Sequence, residues 1–266
     1  MFDFLLAPLL SLFSAKFYRR LLSLSQGLGF LYVAYLSLLL AIGGTFLVRI
    51  QVLPQTDQFI EWMEANIPEL VFTSSGLDMR VKDPVLLTHP QWGPLIYFNV
   101  GSDLPQSADL EKAAILITRT HVAYRDPRQN QYRIQSLVPG PDAQKRWQDL
   151  RVDGPTIDNF WRRLRPFMGA LVFLLFFVVA FFWKLFAGLL YSLIGIAINF
   201  FRRERLAYRF ILNLTFFALT PVTLIQFASW MLPGIHIPIH PLIAILITAA
   251  YVAFAVLASQ QRTQPE

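Results

Sequence analysis

The sequence predicts a membrane protein: an α-helical transmembrane bundle of about four spans with an inserted small α+β extracytoplasmic domain. Three observations predict this class. The chain of 266 residues is 55% hydrophobic and only 15% charged, which is more apolar than soluble domains of this length. The apolar residues gather into four blocks, each long enough for a bilayer-crossing helix. The stretch between the first two blocks mixes both signs of charge with turn residues, as soluble domains do.

The N-terminal part of the chain is predicted to hold the protein at the cytoplasmic face of a membrane. Residues 1–26 place aromatic and leucine residues at helical spacing opposite Lys16, Arg19 and Arg20, a pattern typical of an amphipathic helix on a membrane surface. A plain basic flank that orients the next helix explains the same residues. Residues 27–48 carry no charge and form the first transmembrane helix, which no small-residue cleavage site follows.

Residues 49–165 are predicted to form an extracytoplasmic α+β domain. Thr56 suits the N-cap of a helix that Pro68 ends, and Thr156 suits the start of a short helix that Pro166 ends. Between them lie five runs rich in β-branched or aromatic residues, bounded by turn residues. The five runs are 77–81, 95–100, 113–118, 121–125 and 131–137. They predict a mainly antiparallel sheet.

The second apolar block, residues 166–201, is too long for one perpendicular crossing. Its residues beyond Pro166 would extend about 52 Å as one helix, against a hydrocarbon thickness of about 30 Å. One long helix, tilted or kinked near a glycine, fits this length, and so does a hairpin of two short spans. Because the segment has no internal proline or polar turn, the single helix is favoured.

The remaining elements complete the predicted topology. They are a cytoplasmic basic loop at 202–205, a third span at 206–232, an outer turn at 233–240, a fourth span at 241–258 and a cytoplasmic tail at 259–266. Both termini are thus predicted to be cytoplasmic. The inserted domain is predicted to lie on the other side of the membrane.

Charge and composition exclude several classes of protein. The net charge is +6, but the region from Arg49 to Arg165 contains as many basic as acidic residues. The excess lies mostly in the predicted cytoplasmic segments, as the positive-inside rule describes, so no nucleic-acid partner is expected. The expected partners are the lipid bilayer and other envelope proteins, and the sequence leaves the oligomeric state open. The chain has no cysteine, which excludes disulfides and thiolate chemistry.

Lys184, Asn213 and Pro221 are the candidate functional residues inside the spans. An ionisable group at membrane depth is typical of a functional site, although the long side chain of Lys184 can also snorkel to the headgroups, which is the favoured explanation. Asn213 and the helix broken at Pro221 fit a substrate path, whereas hydrogen bonding between helices is the commoner role of such residues. The spans contain no Asp or Glu, which argues against a proton-coupled pump.

No catalytic, cofactor or metal site is predicted, and no cofactor is expected. His236 and His240 have a metal-like spacing, but Pro238 prevents a helix, and an extended chain holds the two rings about 13 Å apart. The inserted domain contains no nucleophile elbow and no glycine-rich phosphate loop. Its aromatic residues predict either a recognition surface or a sheet core. These aromatics are Trp92, Tyr97, Phe98, Tyr124 and Tyr132.

Short motifs spread along the chain resemble one bacterial family. They are Phe17-Tyr18-Arg19-Arg20, Pro68-Glu69-Leu70, Ser75-Gly76-Leu77, Pro84-Val85, the strand 95–100 and Leu219-Thr220-Pro221. In these motifs the chain resembles uncharacterised bacterial integral membrane proteins, some labelled maltodextrin utilisation protein, that are related to the Yip-type membrane superfamily. The resemblance implies a protein of the bacterial cytoplasmic (inner) membrane with an extracytoplasmic domain after its first span. It implies no reaction.

These features predict a non-enzymatic envelope protein that binds, scaffolds or senses through its extracytoplasmic domain. The charge-balanced domain fused to spans with few polar groups favours this interpretation. The alternative is a transporter or permease component, which Lys184 and the helix broken at Pro221 favour.

Overall fold

The computed structural model describes residues 6–23, 27–73, 75–81, 83–126, 131–137, 150–202, 204–232 and 240–259. The chain divides into two compact units. The helical unit comprises Met1–Leu53 and Phe167–Glu266, and the α+β unit comprises Pro54–Pro166.

The described helices and strands follow one another in a simple order. The helices are α1 (Ala7–Phe13), α2 (Ala15–Leu21), α3 (Leu28–Leu47), α4 (Leu53–Asn66), α5 (Ser107–Leu110), α6 (Gly154–Phe200), α7 (Tyr208–Ala218), α8 (Thr220–Met231) and α9 (Pro241–Ala258). The strands are β1 (Leu70–Thr73), β2 (Gly76–Met79), β3 (Val85–His89), β4 (Gly93–Asn99), β5 (Ile115–Thr118), β6 (His121–Asp126), β7 (Gln131–Ser136) and β8 (Arg151–Val152).

Four helical segments among the described residues are long and apolar enough to cross a membrane. They are Leu28–Asn66, Gly154–Phe200, Tyr208–Met231 and Pro241–Ala258. The described structure thus has the mainly helical class that was predicted, with four segments that could span a membrane and small β-sheets.

The second apolar block is one helix, so the favoured single-helix prediction is confirmed. Helix α6 runs for 47 residues, from Gly154 to Phe200. The predicted end of a short helix at Pro166 is wrong, because Pro166 lies inside α6. Proline has no backbone N–H, so Pro166 cannot donate the helical hydrogen bond to the carbonyl of Arg162, four positions earlier. Both residues are exposed, so the freed carbonyl can find other partners.

The predicted N-cap at Thr56 is also wrong. A five-residue π-helix, Val48–Val52, leads from α3 directly into α4, which begins at Leu53. Thr56 therefore lies within a helix. The π-helix joins the apolar helix α3 to the amphipathic helix α4 without an intervening loop. A capping residue predicts a new helix start and therefore does not predict such a continuous helix.

The core of the helical unit is built on close contacts between α3 and the broken pair α7–α8. The Tyr32 ring stacks on Phe217 with centroids 4.1 Å apart. The Tyr32 hydroxyl lies 2.6 Å from Thr220 Oγ1. Since the Thr220 hydroxyl donates to the Phe217 carbonyl, Tyr32 is the donor to Thr220. The predicted break at Pro221 is confirmed, because α7 ends at Ala218 and α8 starts at Thr220.

Most polar side chains of the spans bond to backbone groups of their own helix or connection, and not to a neighbouring helix, which is the commoner of the two predicted roles. Thr215, Thr223 and Thr248 each donate to the carbonyl four residues earlier. The Asn199 amide bonds both backbone groups of Leu206, donating to the carbonyl at 3.0 Å and accepting from the N–H at 2.9 Å. Asn199 thereby holds the ends of the 199–206 connection together.

The α+β unit contains two sheets. In the first, β1 lies between β2 and β8 and pairs with both in antiparallel register. The second has the order β3-β4-β5-β6-β7, and among its described pairs only β4–β5 is parallel. The predicted mainly antiparallel strands correspond to β2 and β4–β7. Side chains of both sheets share one buried cluster, made of Leu70, Leu77, Leu87, Phe98 and Val100.

A carboxylate ties the first helix of the α+β unit to the last. Asp57 on α4 accepts from Nε and Nη2 of Arg165 at 2.9 and 2.8 Å, and from Nε1 of Trp161 at 2.8 Å. This bidentate arginine contact is the geometry in which ion pairs are strongest. The hydrogen bonds from Arg165 hold the pKa of Asp57 below its usual range.

Candidate functional site

The best candidate for a ligand site is an open cleft of about 430 Å³ in the α+β unit. Helix α4 forms one wall and the turn between β3 and β4 forms the other. The lining residues are Gln55, Gln58, Phe59, Trp62, His89, Pro90, Gln91 and Trp92. We call this group the aromatic cleft. Its volume lies in the range of small-molecule sites, about 300–1,000 Å³.

Local sequence explains why these side chains converge. Residues 55, 58, 59 and 62 are spaced by three or four positions, so they lie on one face of α4. The opposite wall is the hairpin turn at 89–93, in which His89 pairs with Gly93. Gly93 has φ +73°, a left-handed conformation that glycine adopts without strain.

Four rings of the cleft contact one another. His89 stacks on Trp92 with centroids 4.3 Å apart and an interplanar angle of 18°. Trp62 meets the edge of His89 at 4.9 Å, and Phe59 stacks on Trp62 at 5.7 Å. The Trp92 ring is 56% exposed, whereas His89 is only 8% exposed. The rings therefore form a fixed platform with an open outer side.

The polar groups of the cleft are uncharged amides and one imidazole. His89 Nδ1 accepts from the Gln91 N–H at 3.2 Å, which leaves Nε2 as the donor of a neutral ring. The three glutamines are exposed at the rim, and each amide both donates and accepts. Among the described residues, no Asp, Glu, Lys or Arg lines the cleft. Its chemistry suits an uncharged ligand that has one apolar face and several hydrogen-bonding groups.

The aromatic residues for which the sequence left open a recognition surface or a sheet core divide between the two. Trp92 lies in the cleft, whereas Tyr97 and Phe98 are buried in the unit's core, and Tyr124 and Tyr132 do not line the cleft. The partners of Trp92 come instead from α4 and the end of β3. The sequence contains a pattern that could have predicted these partners, because glutamine and aromatic residues share one face of α4. The run His89-Pro90-Gln91-Trp92-Gly93 supplies the other wall of the cleft.

The three candidates inside the spans lie in the helical unit. Lys184 is buried and donates from Nζ to Thr223 Oγ1 at 2.6 Å, so its ammonium does not extend outward as the snorkelling explanation requires. Pro221 occupies the first turn of α8, the turn that precedes Thr223. Asn213 is buried beside Gly29, and its Oδ1 has no hydrogen-bond partner in the described structure.

No metal centre is found in the described part of the chain, where no three His, Cys, Asp or Glu residues cluster. His240 caps α9, accepting from the Leu242 N–H at 3.3 Å. His236 lies outside the described residues.

Comparison with known proteins gives a family without an assigned activity. Residues 8–256 match a family model described as "Protein of unknown function (DUF1189)". Neither the curated proteins nor the solved structures contain a significant match.

Proposed function

Because the chain belongs to the DUF1189 family of proteins of unknown function, we propose its role from its own site: a membrane-anchored, non-enzymatic binding protein of the bacterial envelope. The aromatic cleft of the α+β unit holds its ligand. The single observation that carries this proposal is a stacked ring platform with amide side chains, lined by no charged group of the described part of the chain. We also propose that the family is related to the Yip-type membrane superfamily.

The chemistry of the cleft selects the ligand class. Aromatic rings present a negative face, which attracts the slightly positive C–H groups of an aliphatic ring. Glutamine amides offer donors and acceptors to hydroxyl or amide groups at the edge of that ring. A charged ligand would lose its hydration without gaining an opposite charge. A neutral sugar unit combines the required apolar face and polar edge.

The proposed topology puts the α+β unit outside the cytoplasm and the connection at 202–205 inside it. Three arginines before the second span run against the positive-inside rule, but two of them are paired. Arg162 Nε lies 2.6 Å from Asp158 Oδ2, and Arg165 bonds Asp57. The pairing lowers the net positive charge of this flank, which supports an outer position.

Ligand binding is tested with the full-length protein in detergent micelles by titration calorimetry. The probes are maltotetraose, which offers hydroxyl groups, and chitotetraose, which also offers amides. At least one probe is expected to bind saturably. Trp92→Ala and Gln58→Ala are expected to weaken binding by about tenfold each, because each removes one stacking or hydrogen-bonding partner.

The control is Tyr124→Ala, which removes another exposed ring of the same unit from a position outside the cleft. This variant is expected to bind as the unmodified protein does. The proposal fails if neither probe binds, or if binding survives both cleft substitutions.

A further inference from the structure

A second cavity lies in the helical unit and contains the buried lysine of the second span. Its volume is about 460 Å³, and side chains of α6, α8 and α9 and of the residue between α7 and α8 line it. Lining residues include Lys184, Leu190, Ile194, Leu219, Ala244 and Ile245. We call it the lysine cavity. The lysine cavity and the aromatic cleft belong to different units of the chain.

Lys184 has fewer partners than its charge requires. The residue is 6% exposed, and its ammonium carries three donors. One donor is used on Thr223 Oγ1 at 2.6 Å. The Thr223 hydroxyl in turn donates to the Leu219 carbonyl at 2.8 Å, so it acts toward Lys184 only as an acceptor. The other two donors of the ammonium have no partner among the described residues.

No counter-charge for Lys184 is found among the described residues or in the sequence of the four spans. None of the ion pairs between described residues includes Lys184. The sequence has no Asp or Glu in the segments 27–48, 167–201, 206–232 and 241–258. An unpaired charge in an apolar setting is costly, and such a group usually pairs with a partner. An anion from outside the chain is the partner that remains.

The other walls of the cavity indicate that the bound anion also has an apolar part. Lys184 is the only charged residue among the described residues of the lining, and the other walls are mostly aliphatic or aromatic. The hydroxyl of Thr248, a lining residue, is already used on the Ala244 carbonyl at 2.9 Å. Leu190, Ile245 and other rim residues are about half exposed, so the cavity opens to the surface of the helical unit between apolar side chains. An acyl chain can enter there.

We propose that the lysine cavity binds one anionic lipid of the bilayer, with its acidic group on the Lys184 ammonium and part of an acyl chain along α6 and α9. The ammonium then gains charge-assisted hydrogen bonds, and the chain fills apolar walls. The site selects by charge at its closed end and by apolar shape at its open end.

The proposal is tested on the full-length protein by native mass spectrometry from detergent micelles. The protein is titrated with phosphatidylglycerol or phosphatidylcholine, and one bound phosphatidylglycerol per chain is expected at about tenfold higher affinity than phosphatidylcholine. Lys184→Gln is expected to remove this preference. Ala244→Trp leaves the lysine in place but fills the cavity, and it is expected to lower the affinity for both lipids by about tenfold.

The matched control is Lys16→Gln, which removes an exposed lysine of the same unit and is expected to leave the preference unchanged. Inorganic phosphate, added at the concentration of the lipid, is expected not to displace it. Three results overturn the proposal: equal binding of both lipids to the unmodified protein, a preference for phosphatidylglycerol that survives Lys184→Gln, or displacement by inorganic phosphate. Because Lys184→Gln can also disturb folding, unchanged phosphatidylglycerol affinity in the stably folded Ala244→Trp variant counts equally against it.

Discussion

Replacing Gly188 by leucine is expected to lower the free energy of unfolding of the helical unit by about 3 kcal/mol or more. A Cβ atom at Gly188 would overlap the Cδ1–Cε1 edge of the Phe216 ring. The ring has little room to move, because it packs closely against α3 at Gly29 and its centroid lies 5.2 Å from that of the Phe30 ring. Phe216 is 1% exposed, so no open space receives it.

Thermal unfolding of the purified protein in detergent measures this effect. Gly169→Leu is the matched control on the same helix, since a Cβ there meets nothing within 4 Å. Its melting temperature is expected to stay near that of the unmodified protein. The double variant Gly188→Ala with Phe216→Leu should be more stable than Gly188→Ala alone. Unchanged stability of Gly188→Leu would show that α3, α6 and α7 do not pack as described.

Replacing Arg202 by methionine is expected to cost about 2–4 kcal/mol of stability. Arg202 follows α6 and is 7% exposed. Its Nη1 donates to the Val256 carbonyl at 3.0 Å and to Ser259 Oγ at 2.9 Å, and so binds the C-terminal end of α9. A cation at a helix C-terminus also interacts favourably with the helix dipole. Methionine keeps an unbranched apolar stem, so the loss reports the hydrogen bonds and the charge rather than packing.

Arg205→Met is the control, since Arg205 is exposed and lies over the Phe200 ring at 4.9 Å. Such a cation–π contact at an exposed site contributes only about 0.5–1 kcal/mol. The same melting experiment therefore separates the two arginines. Equal losses for both variants would contradict the contact between Arg202 and α9.

The elements that could be predicted from sequence are those set by local pattern. Apolar length alone gave the spans, and the absence of a turn signal in 167–201 gave the single helix α6. Helix boundaries were predicted less well. Thr56 carries an ordinary capping signal, but a π-helix joins α3 to α4 ahead of it, so no helix begins there. Pro166 carries an ordinary helix-breaking signal, but α6 continues through it at an exposed position. Strand β1 was missed because its four residues show no alternation long enough to detect.

The sites depend on contacts between distant parts of the chain, which local pattern does not encode. Trp92 was a candidate for recognition, but its stacking partner His89 and the facing Trp62 become visible only when the β3–β4 turn meets α4. Lys184 was a candidate as well, and its length made snorkelling the natural explanation. Only the position of Thr223 on α8 shows that the ammonium stays inside the bundle.

The most direct test of the proposed arrangement is the sidedness of two introduced cysteines in cells. The natural chain has no cysteine, so Ser107→Cys in the α+β unit and Glu204→Cys in the connection before α7 each give a single reactive thiol at an exposed position. A membrane-impermeant maleimide applied to spheroplasts is predicted to label the thiol at 107 at once, and the thiol at 204 only after permeabilisation. Labelling of both thiols, or of the thiol at 204 alone, in intact spheroplasts would contradict the arrangement in which the aromatic cleft faces the envelope.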